Sequence, residues 1–265
     1  MSYVDEQIEK LAELIVSSNN IIVFTGAGIS TESGLRDFRG PNGIWTKSED
    51  PTTMTFQKFL VDPEVRKRHW ARYGSGEFHA NIQPNRAHYA VAEMEKMGKL
   101  NCVITQNIDG LHQKAGNNPN NVIELHGTVT KAKCLECGKS YAIEEIRPRF
   151  DAGEESPNCR ECGGLMKVAT ISFGQPMPVE ETQEAQRRLA RCDLCIVIGS
   201  TLLVYPAAHM PEIALSAGAN LAIINMGNTP LDNMARVRIS EKAGDIMEKV
   251  MRLVKQKMSG QYKKA

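Results

Sequence analysis

The segment that decides the fold reads Ile21-Ile22-Val23-Phe24-Thr25-Gly26-Ala27-Gly28-Ile29-Ser30. Its four leading apolar residues predict a short buried strand, and the glycines that follow predict a tight turn into a helix. Glycine at such a turn lets the backbone approach a phosphate group, and the first N–H groups of the helix face that phosphate. The segment therefore favours a nucleotide-binding α/β unit, with a plain tight turn as the alternative.

This turn departs from the dinucleotide-binding pattern G-x-G-x-x-G, because Thr31 occupies the position of the third glycine. In the usual pattern an acidic residue follows about 20 residues later, at the end of a second strand. Here the chain continues instead with a polar loop from Gly34 to Gly40. Both departures disfavour an ordinary Rossmann enzyme that transfers hydride.

Short apolar runs alternate with amphipathic segments along the rest of the chain, which predicts an α/β fold with a parallel sheet covered on both faces. Further strands are predicted at 102–105, 122–125, 194–198 and 221–225, and one intervening helix stops at Gly98. Residues 40–73 and 128–170 interrupt this alternation. We predict a Rossmann-like domain of residues 1–39, 74–127 and 171–258, a smaller inserted domain of 40–73 and 128–170, and a flexible tail at 259–265.

The composition is ordinary for a globular protein: 265 residues, 42% hydrophobic, 24% charged, formal net charge +1. No basic run is long enough to indicate nucleic-acid binding. No apolar run reaches the roughly 18 residues that a membrane-spanning helix needs. The first residues also lack the pattern of a signal peptide. We therefore expect a cytoplasmic protein that binds neither nucleic acid nor a membrane directly.

Four of the seven cysteines form two close pairs, Cys134-x-x-Cys137 and Cys159-x-x-Cys162, separated by 21 residues. Zinc prefers four tetrahedral ligands, and two such pairs supply four thiolates. A site with four cysteines has no open position, so we predict one structural Zn²⁺ rather than a catalytic one. The alternative is four unrelated reduced cysteines. Cys192 and Cys195 have the same spacing but enter a predicted strand, so we interpret them as buried structural residues.

Polar residues follow the predicted strands and are expected to share one crevice, because ligands of such sheets bind at the carboxyl ends of the strands. They include Gln106-Asn107-Ile108-Asp109, His126-Gly127, Gly199-Ser200-Thr201 and Asn225. An imidazole is the natural general base near neutral pH, and His126 has the most polar neighbours of the six histidines. We interpret the other five, His69, His79, His88, His112 and His209, as surface or supporting groups.

In combination, these motifs resemble the ordered motif set of the sirtuins, the NAD-dependent protein-lysine deacylases. The resemblance runs from about Ile8 to Val254 and rests on the following segments: Gly26-Ala27-Gly28-Ile29-Ser30, Asp37-Phe38-Arg39-Gly40, Thr105-Gln106-Asn107-Ile108-Asp109, His126-Gly127, the four paired cysteines, Phe173-Gly174, Gly199-Ser200 and Asn225.

The resemblance implies a Rossmann-like domain and a small zinc-bearing domain, with NAD and an acyl-lysine peptide or protein meeting in the cleft between them. Its chemistry is acyl transfer rather than redox: the acyl oxygen displaces nicotinamide from C1′ of the ribose, and 2′-O-acyl-ADP-ribose is released. His126 corresponds to the general base, and Asn107 is the second catalytic position. Contacts to NAD are implied at Gly26, Ala27, Thr31, Asp37, Phe38, Arg39, Gln106, Ile108, Asp109, Ser200, Thr201, Asn225 and Ala243.

The sequence departs from the family pattern at positions that bear on the acyl group. Arg36 replaces a common proline, Gln175 replaces the usual glutamate, and Lys167-Val168-Ala169 replaces a run that usually contains Arg-Pro. Members that prefer acidic acyl groups carry Tyr-x-x-Arg, for which this chain has His69 and Arg72. Acyl preference therefore stays open. Mono-ADP-ribosyl transfer and a non-catalytic NAD sensor are the alternatives, and the joint presence of His126, Asn107 and Asp109 argues against the sensor.

Overall fold

The computed structural model describes residues 2–40, 43–47, 55–74 and 81–262. These residues form two sheets. The strands, in chain order, are β1 (Ile21–Thr25), β2 (Leu100–Thr105), β3 (Val122–Glu124), β4 (Gly127–Cys134), β5 (Ser140–Ala142), β6 (Met166–Thr170), β7 (Leu194–Ile198), β8 (Asn220–Ile224) and β9 (Val237–Ile239).

The helices pack around these sheets. In chain order they are α1 (Tyr3–Ser17), α2 (Ile44–Lys47), α3 (Phe56–Val61), α4 (Pro63–Tyr73), α5 (Arg86–Lys96), α6 (Leu111–Ala115), α7 (Ile143–Asp151), α8 (Val179–Leu189), α9 (Met210–Ser216) and α10 (Ala243–Tyr262). Among the helices of the described ranges, none combines the length and the apolar character that crossing a bilayer requires.

The larger sheet has six strands in the order β3-β2-β1-β7-β8-β9, and every neighbouring pair is parallel. From β1 the chain proceeds outward through β2 and β3, and it returns to the other side of β1 with β7. The strand order therefore reverses between β1 and β7. In open parallel sheets such a reversal opens a crevice at the carboxyl ends of the two strands, which is where ligands bind.

Both faces of this sheet are buried, as the alternation of apolar runs predicts. Within β1, Ile21 and Val23 pack into a core with α1, α5 and α10. Ile22 and Phe24 pack into the opposite core with α8 and α9. This alternation follows from the two-residue period of a strand, and it explains why β1 is apolar at each of these positions.

The smaller sheet is antiparallel, in the order β5-β4-β6. Its core includes Val129, Ile143 and Met166 together with Trp70 of α4. The Trp70 indole nitrogen donates a hydrogen bond to the Met166 carbonyl at 3.1 Å. The two segments that interrupt the alternation in the sequence therefore pack against each other, as far as the described residues of 40–73 show.

The boundaries of some elements differ from the sequence-based predictions. Gly127 is the first residue of β4 and pairs with Thr170 of β6, whereas the sequence placed it directly after the strand that became β3. Helix α10 continues to Tyr262 and includes the beginning of the segment that the sequence assigned to a tail. The helix predicted to stop at Gly98 does so, and Gly98 has the positive φ of +70° expected of a C-terminal glycine.

Candidate active site

The glycine turn after β1 lies against the turn after β7. Gly28 N donates to the Gly199 carbonyl at 2.8 Å. A Cβ atom on Gly28 would lie 2.7 Å from Gly199 Cα, and one on Gly26 would lie 2.8 Å from the Gly199 oxygen. The glycines are therefore required by the contact between these two turns as well as by any phosphate. The helix that follows is a 3-10 helix, Ala27–Ser33, rather than an α-helix.

A buried polar network joins this 3-10 helix to the end of β2. Asn107 Nδ2 donates to Ser30 Oγ at 3.1 Å, and Ser30 Oγ donates to Asp109 Oδ2 at 2.7 Å. The second carboxylate oxygen of Asp109 accepts from Leu111 N at 3.0 Å. Burial raises the pKa of Asp109, and these hydrogen bonds oppose that effect. Two predicted site residues are thus held together by Ser30, which belongs to the glycine motif but was not predicted as a site residue.

The network continues to His88 of α5. Its Nδ1 accepts from Asn85 N at 3.3 Å, so the proton of the neutral ring is on Nε2, which lies 3.5 Å from Ser30 Oγ. Burial lowers the pKa of His88 to about 4. A fully buried, neutral histidine therefore orients the Ser30 hydroxyl. The sequence contained one signal for this role of His88. The residue lies three positions after Asn85, and asparagine is a typical N-cap residue.

The histidines outside the predicted site have different environments. His112 is buried, and its Nε2 lies 3.1 Å from Thr25 Oγ1. His69 is also buried, against Phe59, and His209 is exposed. His79 lies outside the described residues. Of the two predicted alternatives, His69, His88 and His112 are therefore supporting groups of the interior, and His209 is a surface group.

His126 lies at the junction between β3 and β4, and its ring is oriented by the backbone. The Nδ1 atom is 2.9 Å from the Gln106 carbonyl oxygen. A carbonyl only accepts, so Nδ1 carries the proton and the lone pair of the neutral ring is on Nε2. Burial lowers the pKa of His126, and the hydrogen bond to Gln106 partly offsets this. The ring is therefore neutral near pH 7, as a general base has to be.

The glycine after this histidine is dictated by packing. Gly127 has a φ of +72°, and a Cβ atom at this position would lie 1.9 Å from the Ala169 carbonyl oxygen. The backbone of β4 therefore approaches β6 more closely than any side chain at this position would allow. On the far side, the carbonyl of His126 accepts from Ile171 N at 2.8 Å.

Gln106 connects the histidine to the crevice between β1 and β7. Its side-chain nitrogen donates to Ser200 Oγ at 2.8 Å, while its carbonyl accepts from His126. Ser200 Oγ also accepts from Leu202 N at 3.2 Å. The predicted base and the predicted cofactor residues after β2 and β7 are thus joined by one hydrogen-bonded chain.

The four paired cysteines converge. Their sulfur atoms all lie within 4.8 Å of one another. Cys134 Sγ is 3.5 Å from Cys162 Sγ, and Cys137 Sγ is 3.8 Å from Cys159 Sγ. Four thiolates at the usual zinc–sulfur distance of about 2.3 Å form a tetrahedron with edges of about 3.8 Å, which matches this spacing. Cys134, Cys137, Cys159 and Cys162 therefore fit a structural zinc ion that fastens β4 to the loop before β6.

Comparison with known proteins identifies the family of this chain. The model of the Sir2 family matches residues 26–206, which is more than half of the chain. The chain belongs to the Sir2 family. The resemblance to the sirtuins and the predicted Rossmann-like fold are thereby confirmed.

Sir2 relatives match nearly the whole chain. NAD-dependent protein deacetylase 1 of Bradyrhizobium diazoefficiens is 44% identical over 91% of this chain and 93% of its own length. NAD-dependent protein deacylase 2 of Archaeoglobus fulgidus is 41% identical over 95% and 97%. A solved Sir2 structure with a p53 peptide and NAD⁺ has a TM-score of 0.82 at 34% identity and covers 92% of this chain and 97% of that one.

The next predicted site residue lies in the loop after β8, which an arginine of β9 supports. Asn225 follows β8, and its Nδ2 donates to the Gly227 carbonyl at 2.8 Å. Arg238 of β9 donates to the carbonyls of Asn225 at 2.7 Å and Gly227 at 2.6 Å, and it pairs with Asp232 at 2.8 Å. Arg238 therefore fixes the loop that carries Asn225. It was not predicted from the sequence, because an arginine within a short strand has no distinctive local pattern.

The remaining predicted NAD contacts of this Sir2 protein lie on both sides of the glycine turn. Thr31 Oγ1 donates to the Gly28 carbonyl at 2.9 Å. Buried Ala243 begins α10, and the next amide, Gly244 N, donates to Glu32 Oε2 of the 3-10 helix at 2.7 Å. The start of α10 is thus joined to the turn.

The polar loop of this Sir2 protein carries three further predicted contacts. Asp37 Oδ1 accepts from Gly40 N at 3.0 Å, and Phe38 is 40% exposed. Burial lowers the pKa of Arg39. Ile108, between Asn107 and Asp109, packs against the core of the smaller sheet, and Thr201 directly follows buried Ser200. The predicted residues therefore lie in the segments that follow β1, β2, β7 and β8, in the polar loop and at the start of α10, and Ile108 reaches the core of the smaller sheet.

Proposed function

We propose that this protein removes acyl groups, most simply acetyl, from lysine side chains of proteins, with NAD as co-substrate. The names of its Sir2 relatives support this activity. The observation that carries it to this chain is the hydrogen bond from His126 Nδ1 to the Gln106 carbonyl, which leaves Nε2 as the basic atom. A deacylase, in contrast to a sensor, needs such a base.

In this reaction His126 Nε2 accepts the proton of a ribose hydroxyl, so that the hydroxyl oxygen can attack the acyl carbon. Asn107 and Asp109 orient the ribose and the nicotinamide amide, and Ser30 keeps both side chains in place. Phe38 and Ile108 provide apolar surface that excludes water from the reacting carbon. The residues thus bind, orient and deprotonate. Nicotinamide leaves C1′ of the ribose when the acyl oxygen attacks there, and the lysine amine leaves the acyl carbon after the hydroxyl has attacked and water has been added.

We further propose how NAD lies along the crevice. Gly26, Ala27 and Thr31 face its phosphates, with Asp37 and Arg39 beside them. Gln106, Ser200 and Thr201 contact the ribose groups, and Asn225 and Ala243 flank the adenine. The reversal of strand order between β1 and β7 supports this placement, because the glycine turn and Ser200 meet there.

The acyl-lysine peptide enters from the side of the smaller sheet and binds along Phe173-Gly174 by backbone hydrogen bonds. We propose that the chain divides into the two domains predicted from the sequence, since the smaller sheet has its own core. The four cysteines hold the zinc ion, whose chemistry is structural. We also propose that the protein acts in the cytoplasm, without binding nucleic acid or a membrane.

The test is mass spectrometry of acyl-lysine peptides incubated with NAD and the protein. Wild type should yield deacylated peptide and O-acyl-ADP-ribose. His126→Ala should lower the rate by about 10²- to 10⁴-fold, the usual contribution of a general base. His209→Ala, which changes an exposed histidine, is the matched control and should behave like wild type.

Absence of both products with every acyl chain tested would exclude the deacylase function. Transfer of labelled ADP-ribose to protein, without deacylation, would show a mono-ADP-ribosyltransferase instead.

A further inference from the structure

Lys167 of β6 is a buried lysine that the proposed chemistry does not use. It is 1% exposed. Its neighbours Met166 and Val168 belong to the core of the smaller sheet, so Lys167 faces the opposite side of the strand. Within the described parts of the chain, no carboxylate lies within ion-pair distance of its ammonium group. Burying a charge without an opposite charge is unfavourable unless dipoles solvate it.

The groups that solvate this ammonium are backbone carbonyls and a ring face. Lys167 Nζ donates to the carbonyl of Thr170 in a short hydrogen bond, and it lies 3.4 Å from Thr170 Oγ1. A longer contact of 3.5 Å reaches the Val168 carbonyl. The ring of Phe59, from α3, is centred 5.8 Å from Nζ. The lysine therefore binds the backbone carbonyls at the end of β6.

The charged and titratable groups around Lys167 do not neutralise it. His69 of α4 is buried against Phe59, and burial lowers its pKa well below the usual value, so it is neutral. Arg72 of α4 adds positive potential at His69. Lys133, across the strand pair in β4, is exposed. Burial lowers the pKa of Lys167 to about 7, so its charge is lost within the physiological range.

The backbone held by Lys167 leads directly into the proposed peptide-binding loop, residues 171–175. Helix α3 supports both. Phe59 lies under the ammonium, while Phe56 N donates to the Phe173 carbonyl at 2.9 Å and Gln57 Nε2 donates to the Gly174 carbonyl at 3.2 Å. The loop is thus fixed at its tip by α3 and at its beginning by Lys167.

We propose that Lys167 is a positioning residue for the substrate: its buried ammonium holds the end of β6 and so fixes the 171–175 loop against which the acyl-lysine peptide binds. The inference rests on the deacylase function proposed above. It predicts an effect on peptide binding rather than on NAD binding, because the contacts of Lys167 do not reach the crevice between β1 and β7.

The experiment compares wild type, Lys167→Met, Lys167→Arg and the control Lys133→Met, which removes an exposed lysine from the neighbouring strand. Initial rates of deacylation give separate KM values for NAD and for a peptide without histidine or cysteine, from pH 6.5 to 9. Hydrogen exchange of the amides in residues 171–175 is measured in the absence of substrate, and a melting curve reports stability.

Lys167→Met should raise the peptide KM about tenfold, which corresponds to about 1.4 kcal/mol, and leave the NAD KM within about twofold. In wild type the peptide KM should rise above about pH 7, as the ammonium loses its proton. In Lys167→Arg it should stay low and independent of pH, since arginine remains charged. Exchange in the loop should be faster in Lys167→Met and unchanged in Lys133→Met.

An unchanged peptide KM together with unchanged loop exchange would overturn the inference while the deacylase function stands. A parallel rise of both KM values with a lower melting temperature would also overturn it, because that is the result of a general structural role.

If wild type shows no deacylation, the proposed function fails, and the exchange rates of the loop still decide whether Lys167 positions it. If Lys167→Met does not fold, the pH dependence of wild type against Lys167→Arg decides.

Discussion

The six-stranded sheet and the three-stranded sheet of this Sir2 protein are held together in different ways. The larger one buries two apolar cores, one on each face, and its polar groups at the strand ends are hydrogen-bonded to one another. The smaller one has a single core, and four thiolates that fit a zinc ion join the end of β4 to the loop before β6. A small core cannot bury enough surface to fold alone, and a metal makes up the difference. The two sheets should therefore respond to different perturbations.

The largest expected effect is removal of the metal. Structural zinc contributes about 10 kcal/mol or more to the folding of small cysteine-rich modules. Chelation, or Cys134→Ser, should therefore unfold the smaller sheet and abolish deacylation, while the larger sheet remains folded. Hydrogen exchange measures this directly, as fast exchange in β4 and β6 and continued protection in β1 and β7.

Cys192→Ser is the control for the metal experiment, because Cys192 is buried in the other part of the molecule. The zinc content of the Cys192→Ser variant should remain near one ion per chain. If the amides of β4 and β6 stay protected from hydrogen exchange after complete loss of zinc, the two sheets are not stabilised differently.

The next effect concerns the larger sheet, at the contact between the turns after β1 and β7. Gly199→Ala places a Cβ atom 2.1 Å from Ile29 N at a φ of +66°. Strain and overpacking together should cost about 3 kcal/mol of stability, without loss of zinc. Gly218→Ala is the matched control, since its φ is +89° but nothing lies within 4 Å of the added atom.

The control Gly218→Ala should cost only about 1 kcal/mol, from the unfavourable φ alone. Thermal or urea unfolding measures both variants. If Gly199→Ala and Gly218→Ala lower the free energy of unfolding equally, the contact between the turns adds nothing to the stability of the sheet.

A smaller effect is expected at Ser30. Ser30→Ala leaves Asn107 and the buried carboxylate of Asp109 without their shared hydroxyl, which should cost about 1–2 kcal/mol. Because this network lies in the crevice, the loss should appear as an approximately tenfold lower kcat/KM with NAD, and the smaller sheet should be unaffected. Ser17→Ala, which removes an exposed hydroxyl bonded to the Glu13 carbonyl in α1, is the matched control and should change kcat/KM by less than about twofold. A Ser30→Ala variant with the wild-type kcat/KM would contradict a role of the network in NAD binding.

The smallest effect is the pH dependence between neutral and mildly alkaline conditions. Burial lowers the pKa of His126 below its ordinary value, so the neutral, basic form predominates at pH 7. With a peptide saturating at each pH, kcat should change less than about twofold from pH 8 to 7 and fall only at pH values below about 6.5, the ordinary pKa of histidine, as the ring is protonated. A fall of kcat that is already half complete at pH 7 would show that the pKa of the base is not lowered.

The sheet and the cysteine cluster could be predicted from the sequence, because both depend on local patterns. A short run of apolar residues such as Ile21–Phe24 is typical of a strand buried on both faces of a parallel sheet, and two Cys-x-x-Cys pairs are typical of a structural zinc site. His126 could be proposed because it follows a strand and belongs to a specific set of motifs.

The parts that could not be predicted depend on contacts between distant segments. His88 and Ser30 are 58 residues apart and meet only in the folded chain. Arg238 and Lys167 are ordinary residues in their own strands, and only the packing shows which carbonyls they bind. A charged side chain in a short strand is expected to be exposed, and Lys167 is buried because α3 and α4 cover it.

The chain passes from the larger sheet to the smaller one at Gly127 and returns just after Thr170, and these two residues are paired. The two crossings therefore lie side by side, directly after His126. His126 is bonded on one side to Gln106 and on the other to Ile171. The base is thus anchored at the place where these two crossings join the sheets, whereas the cysteine cluster lies at the opposite end of β4.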